Sequence, residues 1–120
     1  MKIKNMEREQ RIDNEIVIDA YGSEERKLGW YTYLTDEMTF PFTAICVETH
    51  PNSPLEPDEQ VTVLGVTDYD SWGEVVTVQI SWQGRKFAVP LIQLTPDTSD
   101  DATLEAIMDW HYWVQQNYLF

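Results

Sequence analysis

Cysteine occurs once in this chain, histidine twice, and lysine and arginine together eight times. Each scarcity excludes something. A lone Cys46 cannot close an internal disulfide, and with only His50 and His111 beside it no cluster has zinc spacing. Cys46 lies in the apolar stretch Phe42–Val47, which predicts a buried thiol. No apolar run approaches the roughly 18 residues of a membrane span, and the opening MKIKNMEREQ has no apolar signal-peptide core. A soluble, cytoplasmic protein with no membrane partner is therefore expected. Nucleophile elbows, phosphate-binding glycine loops and His-Glu-x-x-His are also missing. No catalytic residue and no organic cofactor site are assigned, so an enzyme is not expected.

The shortage of bases carries most weight. Eight basic residues oppose 21 acidic ones, giving a net charge of −13. Such a field repels nucleic acid, which needs basic contacts. It attracts cations and basic proteins. Surplus acid also keeps a small protein soluble, so the placement of the acids has to decide between these readings.

Aromatics are plentiful: five Trp, six Tyr and four Phe in 120 residues. A chain of that length forms one domain, residues 1–120, with a real core. Residues 7–20 read as a helix with Ile12 and Ile16 on one face, and the surrounding Glu7, Glu9, Asp13, Glu15, Arg8 and Arg11 as a solvated surface. Residues 23–38 read as a second helix, capped by Ser23, with a stripe of Leu28, Tyr31 and Leu34, ending at Phe40-Pro41-Phe42. Strands follow at Phe42–Glu48, Val61–Val66, 74–82 and Arg85–Val89, with a Pro-rich loop over 50–59 and a tight turn at Gln83-Gly84. Val76, Val78, Ile80 and Trp82 alternate with Thr77, Gln79 and Ser81, the pattern of a half-buried strand. A last helix begins near Ala102. Leu104, Ile107, Met108, His111, Val114 and Tyr118 follow its period, and Trp110 and Trp113 widen its apolar face. The predicted architecture is α+β: a small antiparallel SH3-like barrel of four to five strands flanked by N-terminal helices and a C-terminal helix.

Two acidic segments stand out. TDYDSWGE, residues 67–74, is close to the Asp-x-Asp-x-Asp-Gly opening of a helix-loop-helix calcium loop. Counted from Asp68, however, position 5 is Trp72 and position 12 is Gln79, where that motif needs oxygen and a bidentate Glu. What remains is a hairpin loop holding Asp68, Asp70 and Glu74. It can be a Ca²⁺ site completed by carbonyls and water, or a turn rich in turn formers. TPDTSDDATLE, residues 95–105, crowds Asp97, Asp100 and Asp101 at a helix start. Thr98 to Asp101 has capping-box spacing and the helix dipole favours acids there. A third acid still adds repulsion that a cation would relieve, and Glu105 lies one turn on. His111, on the apolar face of the last helix, reads as a core histidine with a backbone partner.

The stretches EREQRIDNEIVIDAYGSEE, GWYTYLTDEMTFPFTAIC, FAVPLIQL and DWHYWVQQNYLF, spread from Glu7 to Phe120, together resemble the cyanobacterial calcium-binding protein family CcbP. The resemblance implies a small acidic cytoplasmic protein that binds Ca²⁺ without helix-loop-helix sites. It further implies control of free calcium, associated with cell differentiation in filamentous cyanobacteria. The matching segments are mostly apolar and aromatic framework, so the expected ligands rest on the loops themselves: Asp68, Asp70, Glu74, Asp97, Asp100 and Asp101. They form either two sites or one if the fold joins the loops. The expected protein is an acidic Ca²⁺ buffer or weak sensor. The alternative is an interaction module whose acidic surface binds a basic protein partner. Trp72, inside the first loop, is expected to report the ion by fluorescence.

Overall fold

A computed structural model describes residues 5–18, 20–51, 53–73, 75–116, 118 and 120. Helix α1, Met6–Arg11, runs into a π-helical segment, Ile12–Ile16, and is followed by α2, Ser23–Glu37. Strands β1, Phe42–Cys46, β2, Gln60–Val66, β3, Thr77–Trp82, β4, Arg85–Pro90, and β5, Leu94–Asp97, precede helix α3, Asp101–Gln115. The α+β class is as expected.

The strands pair antiparallel in the order β4-β3-β2-β1-β5. This sheet is open, with β4 and β5 at its edges, and the closed barrel is not seen. The edge strands are joined directly by Leu91–Gln93, which form one 3₁₀ turn. The Leu91 amide donates to the Val76 carbonyl at 2.9 Å, and the Val47 amide donates to the Gln93 carbonyl at 2.8 Å. Strand β5 was not among the four strands located in the sequence: it is four residues long and contains Pro96, tolerable only because its outer side is an edge.

The strands form where alternation predicts them. Val76, Val78 and Ile80 are fully buried while Gln79 is exposed. Gln83 and Gly84 both adopt positive φ, +49° and +77°, the backbone of a tight hairpin turn whose twist matches the strands it joins. One register shift between Val63 and Gly65 bends β2. The Phe40–Pro41 peptide is cis.

The helices form near their expected places but turn different faces inward. Trp30 and Leu34, one turn apart, are the buried residues of α2, while Leu28 is 48% exposed and Tyr31 half-buried. Trp30 makes edge contacts with Trp110, Trp113 and Tyr33 at centroid distances of 5.1, 5.5 and 6.0 Å. Three aromatic partners outweigh a leucine in setting the helix phase. Gly22, not Ser23, occupies the N-cap of α2. In α3 the buried set includes Thr103, Ala106, Ile107, Trp110 and Trp113, whereas Leu104, Met108, His111 and Val114 are half-buried. The helix is covered on more than one side, as its two tryptophans suggested.

The first helix ends at Ile16, short of the expected residue 20. Ile12 and Ile16 are buried as predicted. A Cβ on Gly29 would lie 2.2 Å from the Ile16 carbonyl oxygen. The π-helical backbone thus rests directly on α2 at the one position without a side chain. That close approach explains a glycine in the middle of a helix.

Candidate functional site

The antiparallel registers place both acidic segments at one end of the sheet. Phe42 of β1 faces Val63, Val66 of β2 faces Val78, and Thr43 faces Asp97. The β2–β3 connection and the β5–α3 connection therefore both leave from that end.

The β2–β3 connection is a closed turn. Thr67 and Thr77 fasten its base: the Thr67 amide and hydroxyl both donate to the Thr77 carbonyl, at 3.2 and 3.0 Å. Tyr69–Ser71 form a 3₁₀ turn. The Ser71 amide and hydroxyl donate to the Asp68 carbonyl at 3.0 and 2.7 Å, so that carbonyl already has two partners. Gly73 takes φ +59°. Trp72 is 3% exposed, donates from Nε1 to Thr67 Oγ1 at 3.1 Å and stacks on Phe120. It anchors the turn into the core rather than lying open in the loop. The side chains of Asp68 and Asp70 are exposed, and among the described residues neither pairs with a base. Glu74 lies outside the described residues.

The β5–α3 connection divides its acids by role. Asp100 is the N-cap of α3, accepting from the Thr103 amide at 2.9 Å and the Thr103 hydroxyl at 2.6 Å. Those hydrogen bonds hold its carboxyl below the usual carboxylate range. The expected Thr98–Asp101 capping box is not what forms; Thr98 Oγ1 instead accepts from the Asp100 amide at 3.2 Å. Thr103 Oγ1 also accepts from the Thr39 amide at 2.9 Å, tying the helix start to the α2–β1 connection. Asp97, at the end of β5, and Asp101, in the first turn of α3, are exposed. Glu105 does not turn toward them; it pairs with Arg11 at 3.2 Å.

The two segments share an end but do not merge. Asp97 is level with Thr62 across Thr43. That puts it two strand spacings, about 10 Å, from β2. Among the described residues no three Asp, Glu, His or Cys side chains gather closely enough to hold one metal ion. The donor chemistry nonetheless suits Ca²⁺: carboxylate oxygens in solvent-facing loops, without competing thiol or imidazole.

The molecule's best-built acidic centre is one that sequence reasoning missed. Asp109 is fully buried on α3. Arg11 grips it with both terminal nitrogens, Nη2 at 2.8 Å from Oδ1, while Arg8 Nε lies 3.3 Å from Oδ1 and the Tyr33 hydroxyl donates to Oδ2 at 2.5 Å. Burial and the Asp109 carboxylate push the Tyr33 hydroxyl's pKa up. Arg8 and Arg11 are thus not part of a solvated face, and neither is Glu9, which accepts from the hydroxyls of Tyr112 and Tyr118 at 2.9 and 2.5 Å. The only sequence signal was an acid flanked by Trp110 and the apolar face of α3. Its partners lie 76 to 101 residues away, beyond any local pattern. The Asp109 carboxylate accepts three hydrogen bonds and faces two arginines, so it holds helices together.

His111 Nε2 sits 2.9 Å from the Leu94 carbonyl, and burial lowers its pKa. Cys46 is buried, its thiol donating to the Glu48 carbonyl at 3.1 Å, and burial raises its pKa. Both agree with their expected structural roles.

The calcium-binding family model of CcbP matches residues 10–114. The chain belongs to the CcbP calcium-binding family. Ca²⁺ is the cation of that family. The crystal structure of Anabaena CcbP is 34% identical, with a TM-score of 0.86 over 98% of this chain and 97% of its own. A calcium-binding protein solved in its calcium-binding form is 33% identical, with a TM-score of 0.85 over 98% of this chain and 96% of its own. Among curated proteins none matches. The match spans the framework as well as the acidic connections: the Asp109 clamp, the Trp30 cluster and the open five-stranded sheet all fall within residues 10–114 or their direct contacts.

Proposed function

We propose that this protein binds Ca²⁺ in the cytoplasm and acts as a buffer or weak sensor of free calcium. The observation that carries the reading is membership of the CcbP family combined with exposed carboxylates at one end of the sheet. The first site is the β2–β3 turn, where Asp68 and Asp70 supply charge and Glu74, carbonyls and water fill the remaining positions. The second is the β5–α3 connection, where Asp97 and Asp101 lead and Asp100 contributes the oxygen its cap leaves free.

Ca²⁺ takes six to eight oxygens in flexible geometry. Sites with two or three carboxylates leave much of that shell to water, so dissociation constants of about 10⁻⁶–10⁻⁴ M are expected. Mg²⁺ competes poorly, because it demands tighter octahedral geometry and gives up water reluctantly. Affinity falls with ionic strength, since exposed carboxylates are screened.

The test is a calcium titration of Asp68→Asn/Asp70→Asn and of Asp97→Asn/Asp101→Asn against the wild type. Each pair is expected to remove one binding event. Unchanged stoichiometry in both would place the ions elsewhere while leaving calcium binding itself intact.

A further inference from the structure

An open groove lies away from both acidic connections. It holds about 580 Å³ between the π-helical segment with its exit and the outer face of α2. Among the described residues its carboxylates are Glu15, Glu25, Asp36 and Glu37. Between them lies apolar surface that a solvated face does not need: Ile18 is 60% exposed and Leu28 48% exposed. Gly29 lets the Ile16 backbone settle onto α2, forming the floor.

The spacing along α2 gives the groove a length. Glu25 and Asp36 are eleven residues apart, about 16 Å or three helical turns, with Leu28, Gly29 and Thr32 between them on the same side of the cavity. Apolar surface is therefore central and charge terminal. Among the described residues none of the four carboxylates is in an ion pair, so their charge is free for a partner.

We propose that this groove docks a cationic amphipathic helix of a partner protein. Apolar side chains of the helix seat on Ile18 and Leu28, and its Lys or Arg residues reach Glu25 at one end and Asp36 and Glu37 at the other. Charge complementarity selects a basic partner, and the exposed apolar centre separates a docking surface from a merely acidic one. The proposal does not depend on where calcium binds.

The test uses the full chain and a fluorescein-labelled synthetic Lys/Leu amphipathic peptide of about three helical turns. Binding is read by anisotropy at about 0.15 M ionic strength, with Ca²⁺ and with a chelator. Glu25→Gln/Asp36→Asn is expected to weaken binding about tenfold. Leu28→Ser, which leaves the net charge unchanged, is expected to weaken it about fivefold. Asp68→Asn/Asp70→Asn removes the same charge elsewhere and is expected to change it by less than about twofold. Leu28 is too exposed for its loss to unfold the chain, so that variant tests the groove independently of stability. Absence of binding, equal losses in the two charge variants, or an undiminished affinity in Leu28→Ser would overturn the proposal. So would competitive displacement by Ca²⁺ that Glu25→Gln/Asp36→Asn abolishes, because the groove would then be an ion site. A calcium titration of the same variants separates this outcome from a failure of the calcium reading.

Discussion

At Gly29 and Asp109 single atoms decide the packing. Adding a methyl group to Gly29 ordinarily favours a helix, by up to about 1 kcal/mol. Here that methyl would meet the Ile16 carbonyl at 2.2 Å, and a backbone cannot rotate aside. Gly29→Ala is expected to destabilise the protein by about 1–3 kcal/mol, measured by urea denaturation. Asp109→Asn removes the charge that Arg8 and Arg11 converge on. Breaking a buried pair from one side costs about 3 kcal/mol. Both arginines retain some solvent access, which places the expected loss at or somewhat below that figure. Neither role was legible in the sequence. The partners of each come from other elements, Ile16 for the glycine and Arg8, Arg11 and Tyr33 for the aspartate, so no local pattern marks either. The β2–β3 turn was legible, since turn chemistry is local: the Asp68 carbonyl, Ser71 and Gly73 all serve the turn their residue types favour.

Elements report how far periodicity reaches. The β3 alternation named Val78 and Ile80 correctly, because a strand beside two others has only two faces to choose from, while Trp82 at its end is half-buried. Helix faces were harder. In α2 and α3 the tryptophans define the inner side through contacts between helices, and those contacts shift the buried stripe away from Leu28 and Leu104. Strand β5 escaped notice because Leu-Thr-Pro-Asp is short and proline-bearing. Its junction with α3 carries a pH signature. His111 binds the Leu94 carbonyl and its folded-state pKa lies below the ordinary 6.5. The unfolded chain therefore takes up the proton first. The contribution of His111 to stability is complete above pH 6.5 and declines as pH falls through the folded-state pKa. Denaturation midpoints measured from pH 7.5 downward are expected to drop, with a shallower slope in His111→Gln. An equal slope in the variant would assign the dependence to other groups.

The whole molecule is governed by its charge. Twenty-one acids and eight bases leave −13, and two of those bases are drawn inward to Asp109. The exposed carboxylates thus repel one another across the surface, and a bound divalent cation relieves that repulsion. Calcium is expected to raise the melting temperature. At a free concentration a hundred times Kd the gain per site is about 2.7 kcal/mol, and Mg²⁺ at the same concentration gives a much smaller shift. A calorimetric melt with and without Ca²⁺ checks this. The overall charge was plain from composition, and the family framework was recognisable from segments such as DWHYWVQQNYLF. The relation between the two acidic connections was not, since it follows from a strand order that sets β5 beside β1.

Isothermal titration of the wild-type protein with Ca²⁺ tests the central claim most directly. The account predicts saturable heat with a dissociation constant of about 10⁻⁶–10⁻⁴ M, reduced in stoichiometry by Asp68→Asn/Asp70→Asn. No saturable heat up to millimolar Ca²⁺, with the fold intact by circular dichroism, would contradict it.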